Sequence, residues 1–333
     1  MKKLSVFAVL LLCAFSVNAQ KYVESHPEIQ PNTTIRPDTT VLLYPGGQAA
    51  GRGIVENGVQ VTNPPIQDNG LRGEETLTAG GNRGNIGDGA RIDLYLPKNC
   101  NGKMVIVCPG GGYKFVSTFN EGAFAAKWLY DRGMAVCVLK YRMPEVHPTV
   151  PLDDFQNAIR YCRHHAAEWG VSLIGVMGAS AGGHLAACAS TMFQDAITRP
   201  DFAVLLYPRL TLKRGEPCGT KDNLLGKDAN WPDVQEHLKA LFYWSPETHV
   251  TAQTPPTFIA LSSDDKTVPA SNPGAYYSRL IYSGVKTEMH VYPEGGHGWG
   301  FSAEKYVGEG NDAFVNCRPE FETALARWLA GLK

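Results

Sequence analysis

From residue 90 to the C-terminus, short apolar runs alternate with stretches of helical spacing. A chain with that rhythm is restricted to βαβ units, with a mainly parallel sheet covered by helices on both faces. Strands are expected at 90–96, 104–108, 134–141, 172–177, 202–207, 257–261 and 287–292, and helices at 121–132, 153–169, 181–192, 272–282 and 313–332. The helix at 153–169 shows the logic. Phe155, Ile159, Cys162 and Ala166 recur on one face, and Gly170 follows as a cap.

Two stretches break the pattern. Residues 209–255 hold a polar loop and a short helix around 232–241. An insertion between two strands of an open α/β sheet rests above their carboxyl ends, where ligands bind, so this one reads as a small cap. Residues 45–89 are rich in Gly and Asn. A phosphate cradle would place such glycines between a strand and a helix, whereas these lead into a strand. The segment therefore reads as a surface loop before an edge hairpin. The expected organisation is one α/β domain over 41–333 with its cap insertion.

The N-terminus sets an expected compartment. Lys2 and Lys3 precede the apolar run 4–15, and Val17-Asn18-Ala19 offers small residues for cleavage. That is the layout of a signal peptide over 1–19, and it implies an exported, periplasmic or secreted protein. Cys13 raises lipid anchoring as a lesser reading, weakened by bulky Leu12. Residues 20–40 are polar and carry three prolines, as a mobile leader would. Beyond 19, seven cysteines remain, so at least one thiol is unpaired. Cys108, Cys137 and Cys188 lie in apolar runs and read as buried thiols, with at most one or two bridges elsewhere. A net charge of −1, with no dense basic run, points away from nucleic acid and from anionic membrane surfaces. No His-Glu-x-x-His, clustered thiolate or nucleotide cradle occurs, so neither a metal nor a cofactor is expected.

Gly178-Ala179-Ser180-Ala181-Gly182 lies between the strand 172–177 and the helix 181–192. A serine on such a strained turn is lifted clear of the sheet, and small neighbours let strand and helix approach. Its hydroxyl becomes nucleophilic only with a base to take the proton and an acid to orient the base. The chain order Ser, acid, His is met by two later loops. One is Ser262-Ser263-Asp264-Asp265-Lys266-Thr267-Val268-Pro269; the other is Pro293-Glu294-Gly295-Gly296-His297-Gly298-Trp299-Gly300. Each follows a strand and shares a sheet edge with Ser180. Asp265, which begins Asp-x-x-Val-Pro, is preferred over Asp264. His184 precedes the acid and reads as a packing residue, and the remaining histidines fall in helices, a strand or loops. Pro109-Gly110-Gly111-Gly112-Tyr113 stands where backbone N–H groups could bind an oxyanion, with Gly111, Gly112 and Ala181 as candidate donors.

Taken together, these segments resemble the α/β-hydrolase superfamily. More closely, they resemble its acetyl esterase and acetylxylan esterase-like branch of bacterial carbohydrate esterases. The matching segments are 109–113, Leu139-Lys140-Tyr141-Arg142-Met143-Pro144, 178–184, 264–269 and 295–300, with Leu224-Leu225-Gly226 and Ser245-Pro246-Glu247 in the cap. Pro109 stands where that architecture usually has histidine. The resemblance implies Ser180, Asp265 and His297 as a triad, and an acetyl group removed from a plant polysaccharide or its oligosaccharides. The residues by themselves imply only serine-dependent acyl transfer to water. A feruloyl esterase, general carboxylesterase, peptidase or inactive glycan-binding scaffold would share much of the pattern. Tyr113 and Trp299 flank the two site loops, where they could stack on a sugar or simply wall the pocket.

Overall fold

The computed structural model describes residues 35–66, 74–78, 81–301 and 314–333. The expected signal peptide, Cys13, the leader up to residue 34 and the expected start of the last helix at 313 lie outside these residues.

The centre is an eight-stranded sheet. Its strands are β1 (Thr39–Leu42), β2 (Arg91–Tyr95), β3 (Lys103–Cys108), β4 (Ala135–Lys140), β5 (Leu173–Ala179), β6 (Ala203–Leu206), β7 (Thr257–Ser262) and β8 (Thr287–Tyr292). Their spatial order is β1-β2-β4-β3-β5-β6-β7-β8. All pairs are parallel except β1–β2 and β2–β4. Central strands of a parallel sheet are covered on both faces, and they read as unbroken apolar runs for that reason. Met104 to Cys108 is wholly buried, whereas edge strand β8 alternates polar and apolar residues and stays half exposed.

Helices α1 (Phe124–Tyr130), α2 (Thr149–His165), α3 (Ser180–Thr191), α4 (Gly219–Leu225), α5 (Val234–Tyr243), α6 (Gly274–Tyr282) and α7 (Arg318–Ala330) complete the domain. α3 packs on β5 and β6, α1 on β3 and β4, and α6 on β8. α2 begins at Thr149, ahead of the expected 153, with Pro151 in its first turn. A proline there forfeits no intrahelical hydrogen bond, since the first four N–H groups have no partner in any helix. The helix expected at 121–132 is observed as Phe124–Tyr130, and a π-turn over Thr118–Ala123 takes the place of its expected start.

Two expectations need correction. Thr39 and Thr40, placed in the leader, belong to β1, which pairs with β2. Thr40 also donates its hydroxyl to the buried carboxylate of Asp93, which pairs with Lys140. Edge strands carry polar residues on their open side, which is why this one read as leader. The segment 45–89 is likewise more than a surface loop. Thr76–Leu77 and Asn82–Gly84 join Phe115–Ser117 in a three-stranded sheet. Beside it, Glu75 accepts from the buried guanidinium groups of Arg83 at 2.6 Å and Arg91 at 2.8 Å. Gly81, at φ +78°, has the Phe119 ring 2.2 Å from where a Cβ would stand, so only glycine lets that ring close over it.

Cys100, Cys108, Cys137, Cys162, Cys188, Cys218 and Cys317 are all free thiols. No described helix is long and apolar enough to cross a membrane.

Candidate active site

The turn from β5 into α3 holds Ser180 at φ +53°, a left-handed conformation that costs a residue with a side chain about 1–3 kcal/mol. Its neighbours explain how the turn closes. A Cβ on Gly178 would lie 2.1 Å from the Gly182 carbonyl oxygen, and one on Gly182 would lie 2.0 Å from that of Cys108. Both positions must be glycine for strand and helix to meet at this angle.

The loops after β7 and β8 reach the same edge. His297 Nε2 lies 2.8 Å from Ser180 Oγ, and His297 Nδ1 lies 2.6 Å from Asp265 Oδ2. The other carboxylate oxygen of Asp265 accepts the backbone N–H groups of Thr267 and Val268, both at 2.8 Å. These bonds fix the orientation of the carboxylate. Adjacent Asp264 faces away from the imidazole and accepts from the N–H groups of Gly295 and Gly296 at 3.3 and 2.8 Å. One aspartate therefore faces the ring, and the other shapes the loop that carries it.

The glycine loop after β3 is held by its carbonyls. Gly110 O accepts from Ser117 N at 2.8 Å, Gly111 O from Lys114 N at 3.0 Å, and Gly112 O from Asn223 Nδ2 at 2.8 Å. The N–H groups of Gly111 and Gly112 have no acceptor among the described residues, and both glycines line the cleft over Ser180. Ala181 is the second residue of α3, so its N–H has no intrahelical acceptor. Gly111 sits at φ +132°, and a Cβ there would fall 2.1 Å from the Phe115 carbonyl oxygen.

Glu121, on the π-turn, escaped the sequence reading. It is buried, and one carboxyl oxygen accepts Gly110 N–H at 2.6 Å while the other accepts the Tyr207 hydroxyl at 2.8 Å. That hydroxyl in turn accepts Gly300 N–H at 3.0 Å, and the Tyr207 ring meets His297 edge-on, with centroids 5.0 Å apart. Glu121 thus joins the glycine loop to the histidine loop. Burial raises its pKa, opposed by the bonds from Tyr207 and Gly110. An acidic residue amid helical spacing reads as a solvent face, and only the π-turn brings it inward.

The aromatic pair needs correction. Tyr113 is buried and its hydroxyl bonds His184 Nδ1 at 2.9 Å. Trp299 is fully buried, donates to Ser262 Oγ at 3.1 Å and stacks on Phe314 with centroids 3.9 Å apart. Neither ring lines the cleft, so neither is placed to stack on a ligand. Nearness in sequence to a site loop does not fix the direction of a side chain. His184 is a packing residue, with its Nε2 2.7 Å from the Trp244 carbonyl oxygen and burial lowering its pKa to about 4.

Ser180 and His297 open into a cleft of about 850 Å³. One wall is polar and comes from Asn82, Lys114 and Asn120, and the insertion at 209–255 supplies Thr220, Asp222 and Asn223. Beneath the nucleophile, Val107, Met177 and Leu206 close the interior with no space for a water-sized group. A ligand must therefore lie in the open cleft.

The BD-FAE family profile matches residues 92–280. An acetylxylan esterase of Xylanibacter ruminicola is 35% identical over 217 residues, which cover 64% of this chain and 44% of that protein. An endo-1,4-beta-xylanase B of Butyrivibrio fibrisolvens is 32% identical over 211 residues, covering 58% of this chain and 32% of that protein. The chain thus spans less than half the length of either relative. Among solved structures, an acetyl ester-xyloside bifunctional hydrolase from Caldicellulosiruptor lactoaceticus superposes with a TM-score of 0.58 at 32% identity, covering 71% of this chain and 88% of that one. A sugar hydrolase from Lactococcus lactis has a TM-score of 0.63 at 24% identity, covering 77% and 97%, a likeness of fold.

Proposed function

Because the chain belongs to the BD-FAE family, we propose that it is a serine-dependent carboxylic ester hydrolase that removes acetyl groups from plant polysaccharide or its oligosaccharides. The observation that carries the reading is a single imidazole placed 2.8 Å from the Ser180 hydroxyl and 2.6 Å from the Asp265 carboxylate.

In this mechanism His297 Nε2 takes the Ser180 proton as Oγ attacks the ester carbonyl. Asp265 accepts the Nδ1–H, which fixes the tautomer and stabilises the imidazolium that forms. The oxyanion is received by the N–H of Ala181 and by those of Gly111 and Gly112. Loss of one such donor typically costs ~3 kcal/mol of transition-state stabilisation. His297 then gives its proton to the departing sugar hydroxyl, leaving an acetyl ester on Ser180. Water attacks that ester with His297 as base, and acetate leaves as the imidazolium returns the proton to Ser180 Oγ. Glu121 positions the glycine loop relative to the imidazole without touching the reacting atoms.

The substrate class rests on the acetylxylan esterase and xylanase among the relatives and on the cleft. Hydroxyl-rich ligands suit its amide, hydroxyl and charged walls. Export through a signal peptide at 1–19 would put the enzyme where plant polymers are met.

The test is hydrolysis of acetylated xylo-oligosaccharide, a feruloyl ester, an aryl acetate and a peptide amide, with Ser180→Ala as control. Acetate release that Ser180→Ala abolishes is expected. Turnover retained in that variant, or a preference for the amide, would overturn the proposal.

A further inference from the structure

On the side of the sheet away from Ser180, two adjacent histidines and a glutamate converge. α2 runs from β4 to β5, two parallel strands, so its C-terminal end lies at the opposite sheet edge from the turn that carries Ser180. His164 and His165 end that helix. Glu56 reaches them from the hairpin formed by Val55–Glu56 and Val59–Gln60. Glu56 Oε2 lies 3.6 Å from His164 Nε2 and 3.0 Å from His165 Nε2, and the three ligand atoms all fall within 4.8 Å of one another. Three ligands at tetrahedral angles about a zinc-sized ion would stand about 3.3 Å apart, from bond lengths near 2.0 Å.

Two further observations point to a ligand. His165 Nε2 has almost no accessible surface and no hydrogen-bond partner among the described residues. It approaches Glu56 without the alignment of a hydrogen bond, as two ligand atoms do when both face a third centre. Meanwhile His165 Nδ1 lies 3.2 Å from the Glu168 carboxylate. A proton on Nδ1, donated to Glu168, leaves the Nε2 lone pair free, the arrangement that commonly orients metal-bound histidines. The ring is also pinned. It stacks on Trp169 at 5.2 Å and meets Tyr161 at 4.5 Å between centroids.

We propose that Glu56, His164 and His165 form a binding site for a divalent first-row transition-metal ion, with Glu168 orienting His165. Two imidazoles and one carboxylate suit zinc or its neighbours, and oxygen-preferring Mg²⁺ and Ca²⁺ poorly. The ion would staple the hairpin of the glycine-rich segment to α2. Its role is structural, and it stands apart from the reacting groups.

The test is titration of the full chain with ZnCl2, read by equilibrium dialysis and by thermal unfolding, for the wild type, Glu56→Gln and His165→Ala. The expected result is one high-affinity ion per chain and a rise in Tm of about 5 °C at a hundredfold excess over Kd. Both variants should weaken binding by more than tenfold, and MgCl2 should leave Tm unchanged. No rise with zinc, or wild-type affinity in either variant, would overturn the site. Because both side chains keep part of their surface exposed and stand apart from the reacting groups, the variants should fold and keep ester hydrolysis. Loss of zinc binding is therefore distinguishable from failure of the catalytic reading.

Discussion

Two of the clusters of paired charges in this domain are finished differently. In one, Arg142 gives its Nε–H to Asp154 at 2.8 Å and its Nη2 to Asp153 at 2.7 Å and the Tyr44 hydroxyl at 3.0 Å, while Nη1 reaches Gln48. All of these side chains are buried. In the other, Asp265 is equally buried, but the His297 side chain keeps 17% of its surface and Ser180 faces the cleft. The first cluster is closed, with its donors and acceptors turned on one another. The second ends in a hydroxyl open to the cleft, from which the proposed mechanism takes its proton. Similar pairs thus serve architecture where they are saturated and chemistry where one end is left open.

That contrast can be broken by variants that separate turnover from folding. Ser180→Ala and Asp265→Asn should each lower kcat by at least ~10⁴-fold with Tm nearly unchanged, the first by removing the nucleophile and the second by imposing the wrong tautomer. Steady-state kinetics beside a melting curve checks both. A large fall in Tm for either would mean that the open cluster also holds the fold.

Arg142→Leu should do the reverse. It strands two buried carboxylates, so urea unfolding should show a loss of about 3–5 kcal/mol, with turnover per folded molecule little altered. Unchanged stability with lost activity would erase the distinction.

His184 sharpens the boundary between the clusters, being buried next to the site yet neutral. Its folded-state pKa is lowered to about 4 by burial. The unfolded chain therefore binds the proton first as pH falls. Stability is complete above the unfolded value of ~6.5 and is lost as pH drops through the folded value, by about 3 kcal/mol in all. Unfolding measured across pH 4–7 should show that slope in the wild type and a flatter one in His184→Gln. Parallel profiles would remove His184 as its source.

Glu121→Gln has one acceptor where the carboxylate had two, so Gly110 or Tyr207 loses its bond. Kcat should fall by roughly 10²-fold at similar KM, since the displaced glycine loop matters most in the transition state. A change in Tm alone would reduce Glu121 to a packing group. Asp264→Asn should be the mildest, about 1 kcal/mol in stability with modest kinetic effect, because it touches only two backbone N–H groups.

Much of this was legible before any coordinates. The central strands of the parallel sheet are apolar throughout, and edge strand β8 has the expected bounds, Thr287–Tyr292, because glycine and proline turns flank it. Ser180, Asp265 and His297 could be brought together on paper because each stands just past a strand in one shared sheet. Other features depend on facts that periodicity does not carry. Arg142 meets Tyr44 and Gln48 across 98 and 94 residues, so no local window contains the cluster. Glu121 turns inward only through a π-turn, and Tyr113 and Trp299 lie one step from site glycines yet point into the core.

The bond from the Asn223 side chain to the Gly112 carbonyl has a consequence for how the proposed activity could be altered. The insertion that shapes the cleft also steadies the glycine loop beside Ser180. On the proposed mechanism, substrate preference and turnover would be mechanically joined at one amide. A graft that swapped 209–255 for a roomier lid would have to bring its own donor to that spot, or widen its range of esters at the expense of speed.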